Sequence, residues 1–144
     1  MGQKHVKVLL ILAITLSVFR RVEGALLAAS GCYKDKTDDR ALPELLYNAR
    51  TQKDGLNWSD PTESVINKCK ERVEEKGYNC FGIQFYGECW SGDENACAPE
   101  NYKRHGESTN CYCSRNSYKK YDSNSECRVP VGGKLANFVY TIRY

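Results

Sequence analysis

Several residues and patterns on which enzymes depend are scarce in this 144-residue sequence. It contains two histidines, and His105 is the one that lies beyond residue 24. A Ser–His–acid triad would therefore have to use that imidazole, and Ser91 does not lie in a G-x-S-x-G nucleophile elbow. Acids such as Glu88 and Asp93 are compatible with glycoside hydrolysis, but acids beside a turn commonly serve only solubility. We expect a protein without catalytic activity.

Patterns that bind metal ions are also missing. Cys111 and Cys113 are the only cysteines close together in sequence, and their C-x-C spacing differs from the C-x-x-C pairs of zinc sites. Asp35, Asp38 and Asp39 offer oxygen ligands for calcium but lack the spacing of an EF-hand. The sequence therefore predicts no metal site and no cofactor.

Long apolar runs are confined to the N-terminus, where residues 1–24 have the three parts of a signal peptide. Two lysines precede the uncharged run VLLILAITLSVF (8–19), and Val22 and Gly24 occupy the small-residue positions before a cleavage site. The apolar run is shorter than the roughly 20 residues needed to span a bilayer, and no later run could span one. We predict cleavage after Gly24, secretion to the extracellular space, and no membrane insertion of the mature chain.

Removing this segment also removes the net charge of the chain. The sequence has 21 Lys and Arg against 18 Asp and Glu, and residues 1–24 hold four of the former and one of the latter, which leaves 17 of each. A chain without net charge lacks the positive field of a nucleic-acid-binding protein or of a polybasic membrane patch. We expect no nucleic-acid partner.

Cysteine, by contrast, is abundant, and all of it lies in the mature chain. The eight residues are Cys32, Cys69, Cys80, Cys89, Cys97, Cys111, Cys113 and Cys127. An even number of cysteines behind a signal peptide indicates disulfides, here up to four, in a pairing that the spacing alone leaves open. Asn57-Trp58-Ser59 is an N-glycosylation sequon, which fits the same compartment.

One amphipathic helix is predicted over residues 61–76. Asp60 is a candidate N-cap, Pro61 suits the first helical position, Glu63 completes an acidic capping box, and Gly77 ends the helix. The apolar face consists of Val65, Ile66, Cys69 and Val73. The other face carries the charged residues and is expected to be solvated.

A β-hairpin is predicted directly after the helix. Residues 78–86 alternate, with Phe81, Ile83 and Phe85 expected in the core, and Gly87-Glu88 is expected to form the tight connection to a strand beginning at Cys89-Trp90. Because Cys69 lies on the helix face that must cover this hairpin, we expect it to bond to a hairpin cysteine. The final strand is predicted over Ala136–Tyr144, with Phe138, Tyr140 and Ile142 on one face.

The segment between these elements is polar and rich in cysteine. Residues 114–126 contain no aliphatic side chain, so this part of the chain cannot bury enough apolar area to order itself and needs covalent crosslinks. The sequence therefore predicts a single domain over 25–144 of class α+β. We expect a small disulfide-stapled domain with one amphipathic helix packed on a short antiparallel sheet.

A set of short segments occurs in a fixed order along the chain: Gly31-Cys32-Tyr33, Arg40-Ala41-Leu42-Pro43, the predicted helix with Cys69, Gly77-Tyr78 leading into FGIQFYGECWSG (81–92), and Gly132-Gly133 before Asn137-Phe138-Val139-Tyr140. Together these segments resemble the WSC domain. The sequence is also similar to a looser group of WSC-like extracellular proteins of marine invertebrates. WSC-like modules are small secreted or ectodomain units described as carbohydrate binders, so the resemblance implies a carbohydrate-binding module.

The departures from the WSC pattern concern the cysteines. Val73 and Ser91 stand where the family has two cysteines, and both losses are explained together if those two bond each other. Cys80, Cys113 and Cys127 then look like additions. We expect Cys69 to pair with Cys89, and Cys113 to pair with Cys127 across the inserted loop.

The candidate ligand-binding residues surround the predicted hairpin. Sugar rings stack their apolar faces on aromatic side chains, while amides and carboxylates bind the hydroxyl groups. The residues that could do this are Trp58, Gln84, Tyr86, Glu88 and Trp90. For Trp58 and Trp90, burial in the core is the alternative interpretation. The expected partners are extracellular glycans or matrix components.

Two other functional classes remain open for a secreted protein rich in cysteine and tyrosine. One is a structural component of an extracellular or biomineral (shell or skeletal) organic matrix, although acidic runs are no longer than two residues, as at Asp38-Asp39. The other is a toxin or defence polypeptide, which would ordinarily have a shorter chain or a basic face.

Overall fold

A five-stranded antiparallel sheet forms the centre of the computed structural model, which describes residues 26–144. The predicted signal peptide, residues 1–24, lies outside the described residues. In chain order the strands of this sheet are β1 (Leu26–Lys34), β2 (Glu44–Asn48), β3 (Cys80–Gln84), β4 (Glu88–Ser91) and β8 (Ala136–Arg143). They are arranged β1-β8-β3-β4-β2, so the two ends of the described chain pair with each other beside the predicted hairpin.

A second, smaller antiparallel sheet has the order β6-β5-β7. Its strands are β5 (Cys111–Cys113), β6 (Lys119–Lys120) and β7 (Pro130–Gly132). The sequence indicated no strands here, because these short elements lack an alternating apolar pattern. The part of the chain from residue 26 to residue 144 contains no helix long and apolar enough to cross a membrane.

The predicted amphipathic helix is present and begins with a wide π-helical segment. Thr62–Asn67 is π-helical and continues into α1 (Lys68–Glu75), and a short α2 (Pro99–Tyr102) follows later. The predicted stop is confirmed. Gly77 has φ +73°, its N–H donates to the Glu74 carbonyl, and the Tyr78 N–H donates to the Val73 carbonyl, which is the Schellman motif.

The predicted cap of this helix by Asp60 is wrong. No side-chain cap is present at its start, and the Asp60 carboxylate instead accepts a hydrogen bond of 3.0 Å from the Arg115 guanidinium. Glu63 bonds Asn67 rather than the backbone before the helix. The fold thus brings Arg115 within bonding distance of Asp60, and the carboxylate bonds this guanidinium and not the backbone at the start of the helix.

The main core lies between the helix and one face of the large sheet. The helix contributes Val65, Ile66, Cys69 and Val73, and the sheet contributes Phe81, Ile83, Cys89, Phe138, Tyr140 and Ile142. The Phe81 and Tyr140 rings stack with centroids 5.3 Å apart. Burial of such aromatic and aliphatic side chains stabilises the fold by about 1.5–3 kcal/mol each. The predicted inward residues of the helix and of the last strand are confirmed.

The opposite face of the sheet is covered as well, by the loops around α2. Its buried residues are Tyr33, Leu42, Cys80, Ala96, Cys97, Tyr102 and Val139. All five residues of β3 are consequently buried. At Gly82 a Cβ atom would lie 2.6 Å from the Asn137 Oδ1 atom, so this position needs glycine because a neighbouring side chain comes so close.

Four disulfides crosslink the described chain and leave no free cysteine within it. The predicted Cys69–Cys89 and Cys113–Cys127 bonds are both confirmed. The other two are Cys32–Cys111, which joins the two sheets, and Cys80–Cys97, which attaches the loop before α2 to β3. The prediction of a small disulfide-stapled α+β domain is therefore confirmed.

The hairpin turn differs from the prediction. β3 ends at Gln84, and Glu88 already belongs to β4 and pairs with Gln84, so the turn consists of residues 85–87. Phe85 is half-buried rather than in the core, and Phe85 and Tyr86 have φ values of +47° and +65°. Their N–H groups donate to the carbonyls of Gly133 and Gly132, both at 2.9 Å. These bonds hold the turn against the second sheet in a conformation that the local sequence does not favour.

Candidate functional site

The five predicted binding residues lie in two separate groups. Glu88 pairs with Gln84 across the hairpin, and Trp90, two residues after Glu88, projects to the same side of the sheet. Tyr86 lies in the turn and contacts Trp58, whose ring centroid is 5.6 Å from its own. The residues therefore form two candidate surfaces rather than one.

The first group is built on a buried polar cluster, the Arg40 network, which consists of Asp35, Arg40, Gln84 and Asn137. The Asp35 side chain is fully buried, and its carboxylate accepts bonds of 2.9 Å from each of Arg40 Nη1, Gln84 Nε2 and the Ala41 N–H. Gln84 Oε1 accepts a second bond from Arg40, and Gln84 Nε2 also donates to Asn137. Gln84 is thus fully engaged within the protein.

Electrostatics in this network favour an ionised Asp35. Burial acts to raise the pKa of this carboxyl, but the hydrogen bonds from the Ala41 N–H, Arg40 and Gln84 outweigh burial, and the pKa is lowered. The Arg40 side chain is 21% exposed and forms an ion pair with Asp35. The charge of Asp35, which the sequence offered as an oxygen ligand for calcium, is therefore matched by a neighbouring guanidinium.

One face of the Trp90 ring contacts the Arg40 network. The Arg40 guanidinium lies over its ring, 4.2 Å from the centroid, and the indole N–H donates to a Glu88 carboxylate oxygen at 2.9 Å. The ring also packs against the buried residues of the α2 side. Trp90 is therefore half-buried, with a packing role in the structure. A contact between Trp90 and a ligand stays a prediction.

The second group is a partly exposed aromatic cluster, the aromatic platform, which consists of the exposed Trp58 and the half-buried Tyr86, Tyr112 and Tyr118. Trp58 is 51% exposed, and its ring centroid lies 5.9 Å from that of Tyr118. Tyr86 lies 5.8 Å from Tyr112 and 6.2 Å from Tyr118. Partial burial raises the pKa of both Tyr86 and Tyr118, so both phenols are protonated at neutral pH.

Hydrogen bonds hold the platform in place. The Tyr118 hydroxyl donates to the Trp58 backbone carbonyl at 2.7 Å, and the Tyr112 hydroxyl donates to Asn110 Oδ1 at 3.0 Å. Beside the platform, the Arg50 guanidinium lies 3.7 Å above the Phe85 ring. The backbone of Trp58 is therefore held by a residue distant in the chain, while its half-exposed indole contacts the rings of Tyr86 and Tyr118.

The sequon is adjacent to the platform and open to solvent. Asn57 and Ser59 are exposed, and Asn57 Oδ1 accepts a bond of 3.0 Å from the Ser59 N–H. This bond uses the amide oxygen, so the Asn57 Nδ2 atom, to which a glycan would be attached, is not used by it. Glycosylation of Asn57 stays a prediction.

The residues weighed for catalysis or metal binding have structural partners. Ser91 is fully buried and donates to the Cys80 carbonyl, while His105 Nε2 lies 2.8 Å from the Asp39 carbonyl. The Arg104 side chain donates to the Asp39 carboxylate and lowers its pKa. Across residues 26–144, no three Asp, Glu, His or Cys side chains gather as metal ligands would.

Three residues of these surfaces were not found from sequence. Tyr112 lies between two cysteines. Because side chains alternate along the strand Cys111–Cys113, its ring lies on the face of the strand opposite the two cysteine side chains. The C-x-C spacing in the sequence was enough to predict this placement. Tyr118 and Arg40 join their clusters through contacts 60 and 44 residues away in the chain, to Trp58 and Gln84 respectively. Such contacts leave no local pattern.

No known protein-family model matches this chain, and no curated protein is significantly similar to it. The resemblance to the WSC domain therefore stays a prediction.

Proposed function

We propose that the mature chain is a secreted, non-enzymatic module that binds extracellular glycans through the aromatic platform. The observation that carries this proposal is the half-exposed Trp58 indole, held against Tyr86 and Tyr118. Burial of an indole stabilises a folded protein, and this chain has only two tryptophans. A half-exposed tryptophan therefore gives up part of that stabilisation. Exposure of a rigid aromatic side chain is typical of a contact surface.

The geometry suits sugar rings. The C–H faces of a pyranose pack on aromatic rings, and nearby hydroxyls and amides bond to its hydroxyl groups. The platform combines one indole and three phenols, and its rings come from the loop after β2, the hairpin turn, β5 and the segment after β5. Because the rings of Tyr86 and Tyr118 pack against the indole and the Tyr118 hydroxyl bonds the Trp58 backbone carbonyl, the side-chain entropy lost when a ligand binds is reduced.

The platform is better placed than Trp90 to contact a ligand. One side of the Trp90 ring is covered by Arg40, and its N–H is bonded to Glu88. The Trp58 ring, in contrast, contacts the rings of Tyr86 and Tyr118 and is 51% exposed. We therefore assign the primary contact to Trp58 and Tyr86, and a supporting structural role to Trp90.

Secretion is supported by independent features. Four disulfides crosslink a small domain, which is typical of proteins folded in an oxidising compartment. The apolar N-terminal segment and the exposed sequon at Asn57 fit the same route.

The test is a glycan array probed with residues 25–144, refolded with their disulfides. Trp58→Ala should reduce retention by about tenfold or more, as loss of a central aromatic anchor does, and should lower the free energy of unfolding by only about 1 kcal/mol. Tyr144→Ala is the matched control, because Tyr144 is 84% exposed and lies outside the platform. It should bind as the wild type does.

Three outcomes would contradict the proposal. If Trp58→Ala binds normally while a folded Trp90→Ala variant does not, the site lies at Trp90. If the wild type binds no glycan but co-purifies with insoluble extracellular matrix, a structural matrix role takes its place. Turnover of any retained oligosaccharide would refute the non-enzymatic assignment.

A further inference from the structure

An open cleft of about 280 Å³ lies beside the aromatic platform, and we call it the Trp58 cleft. Its wall includes Arg50, Gln52, Lys53, Gly55, Leu56 and Trp58. Small-molecule sites commonly have volumes of about 300–1,000 Å³, so this cleft is at the small end and suits a single sugar ring. Trp58 belongs both to the cleft and to the platform, which makes the two surfaces continuous.

The charge of this cleft is of one sign. Arg50 and Lys53 both line it, and no Asp or Glu does. Within residues 26–144 neither cation takes part in a salt bridge, although Arg40, Arg72, Arg104 and Arg115 all do. Lys53 also borders a neighbouring groove whose lining includes the acids Asp54 and Glu71. The Trp58 cleft itself is lined by two cations and by no acid, and of the two Arg50 is the one that borders only this cleft among the two grooves.

Arg50 is held in position before any ligand binds. Its Nη1 atom donates to the Phe85 carbonyl at 3.1 Å, and its guanidinium stacks over the Phe85 ring. Its backbone N–H donates to Asn48 Oδ1 at 3.0 Å. A guanidinium has five N–H donors in a planar fork, so donors remain for an anion, and their direction is already fixed.

The loop that forms the rim of the cleft is tightly packed. The Gly55 N–H donates to the Gln52 carbonyl at 3.1 Å, and a Cβ atom on Gly55 would lie 1.8 Å from the Ala49 carbonyl oxygen. The Ala49 N–H in turn donates to the Gly87 carbonyl at 2.8 Å. The loop after β2 is therefore attached to the hairpin turn, and it holds Arg50 and Lys53 at a defined distance from Trp58.

From these features we infer that the Trp58 cleft binds an anionic sugar, a ring that carries a carboxylate or a sulfate group. The apolar face of the sugar packs on Trp58, the Arg50 guanidinium bonds the anionic group, and Lys53 adds a second positive charge. Gln52 supplies amide groups for hydroxyls. This inference rests on the proposed function and names the class of glycan that the platform takes.

The test uses three polymers with one backbone: dextran, carboxymethyl-dextran and dextran sulfate, matched in length. In affinity electrophoresis of the refolded chain at low salt, at least one of the two anionic polymers should bind about tenfold more tightly than dextran. Comparison of the carboxylate with the sulfate form identifies the preferred anion. Raising the salt concentration should weaken binding less than for a simple polyanion contact, because stacking on Trp58 is not screened.

Charge-removing variants separate the cleft from general ion exchange. Arg50→Gln should weaken binding to the preferred anionic polymer about tenfold, since bonds to charged groups are the strong ones, and Lys53→Gln by about two- to threefold. The matched control is the double variant Lys34→Gln/Lys103→Gln. Lys34 ends β1, and Lys103 lies over the Tyr33 ring of β1, the opposite edge strand of the sheet. It should bind as the wild type does.

The results distinguish this inference from the proposed function. If neither anionic polymer binds better than dextran, or if the Lys34/Lys103 control loses as much affinity as the cleft variants, the inference is overturned. Retention of neutral glycans through Trp58 would then still support the proposed function. Anionic binding that survives Trp58→Ala would overturn the inference, because it would show contact by charge alone, whereas the proposed function fails if retention on the glycan array also survives Trp58→Ala. Since Arg50 also bonds the hairpin turn, Lys53→Gln keeps the test valid if Arg50→Gln unfolds.

Discussion

Replacing Asp35 by Asn removes one charge from the centre of the Arg40 network and leaves the size of the side chain almost unchanged. The carboxylate accepts three hydrogen bonds, from Arg40, Gln84 and the Ala41 N–H. The single amide oxygen of asparagine can keep the bond to Ala41. Its amide nitrogen would then face the donors of Arg40 and Gln84, so both of those bonds are lost.

The magnitude follows from burial and charge. Breaking a buried ion pair by removing one partner destabilises a protein by about 3–5 kcal/mol. Arg40 is 21% exposed and can recover part of its solvation, so we expect Asp35→Asn to lower the free energy of unfolding by about 2–4 kcal/mol at pH 7. The measurement is urea denaturation with intact disulfides, followed by near-UV CD. Asp38→Asn is the control, because Asp38 is exposed and should change stability by less than about 0.5 kcal/mol.

The effect has a defined pH dependence. The pKa of Asp35 is lower in the folded chain than its ordinary value of 3.8, so the folded state binds a proton less readily than the unfolded state. The stabilisation is therefore fully present above pH 3.8 and is lost as the pH falls through the lower pKa of the folded state. Asp35→Asn should lose this acid-dependent part of the stability curve. An Asp35→Asn variant as stable as Asp38→Asn at pH 7, or one with the wild-type acid dependence, would refute this account of the network.

Two further predictions concern the backbone and the covalent structure. The double variant Cys113→Ser/Cys127→Ser opens a loop of sequence separation 14 and should lower the free energy of unfolding, measured by urea denaturation, by about 3 kcal/mol. Removal of the buried Cys69–Cys89 bond should instead prevent folding. Equal losses of stability for the two bonds would contradict the argument from their different burial. Gly77→Ala places a Cβ atom at φ +73° and should cost about 1 kcal/mol in the same assay, while Gly77→Asn, which tolerates this conformation, should cost less. No difference between the two Gly77 variants would show that the helix ends for another reason.

Secondary structure near the helix could be predicted because its determinants are local. The spacing of Val65, Ile66, Cys69 and Val73 defines one side of a helix, and Gly77 supplies the backbone conformation that ends it. Because Cys69 lies on that side, a disulfide to a cysteine of the neighbouring hairpin could be predicted. The same holds for the last strand, where a period of two places alternate residues in the core.

Other features depended on partners far along the chain. The alternation of Phe81, Ile83 and Phe85 continues without a break, yet the strand ends at Gln84 because Gly132 and Gly133 bond the turn. Asp60 has the sequence context of a cap, yet Arg115 binds it from 55 residues away. Local preferences of this kind are worth only about 1 kcal/mol, so one charged or backbone partner brought close by the fold can override them.

The division between what sequence and structure decide is clearest for the two tryptophans. The sequence by itself determined a cysteine-stapled α+β domain with aromatic residues around a central hairpin, since composition and periodicity carry that information. It did not show which of Trp58 and Trp90 is the more exposed, because the residues that cover each ring lie far away in the sequence. Only the tertiary structure placed Arg40 over Trp90 and left Trp58 half exposed against Tyr86 and Tyr118. Exposure of a side chain is a property of everything that packs around it, and that packing comes from residues distant in sequence.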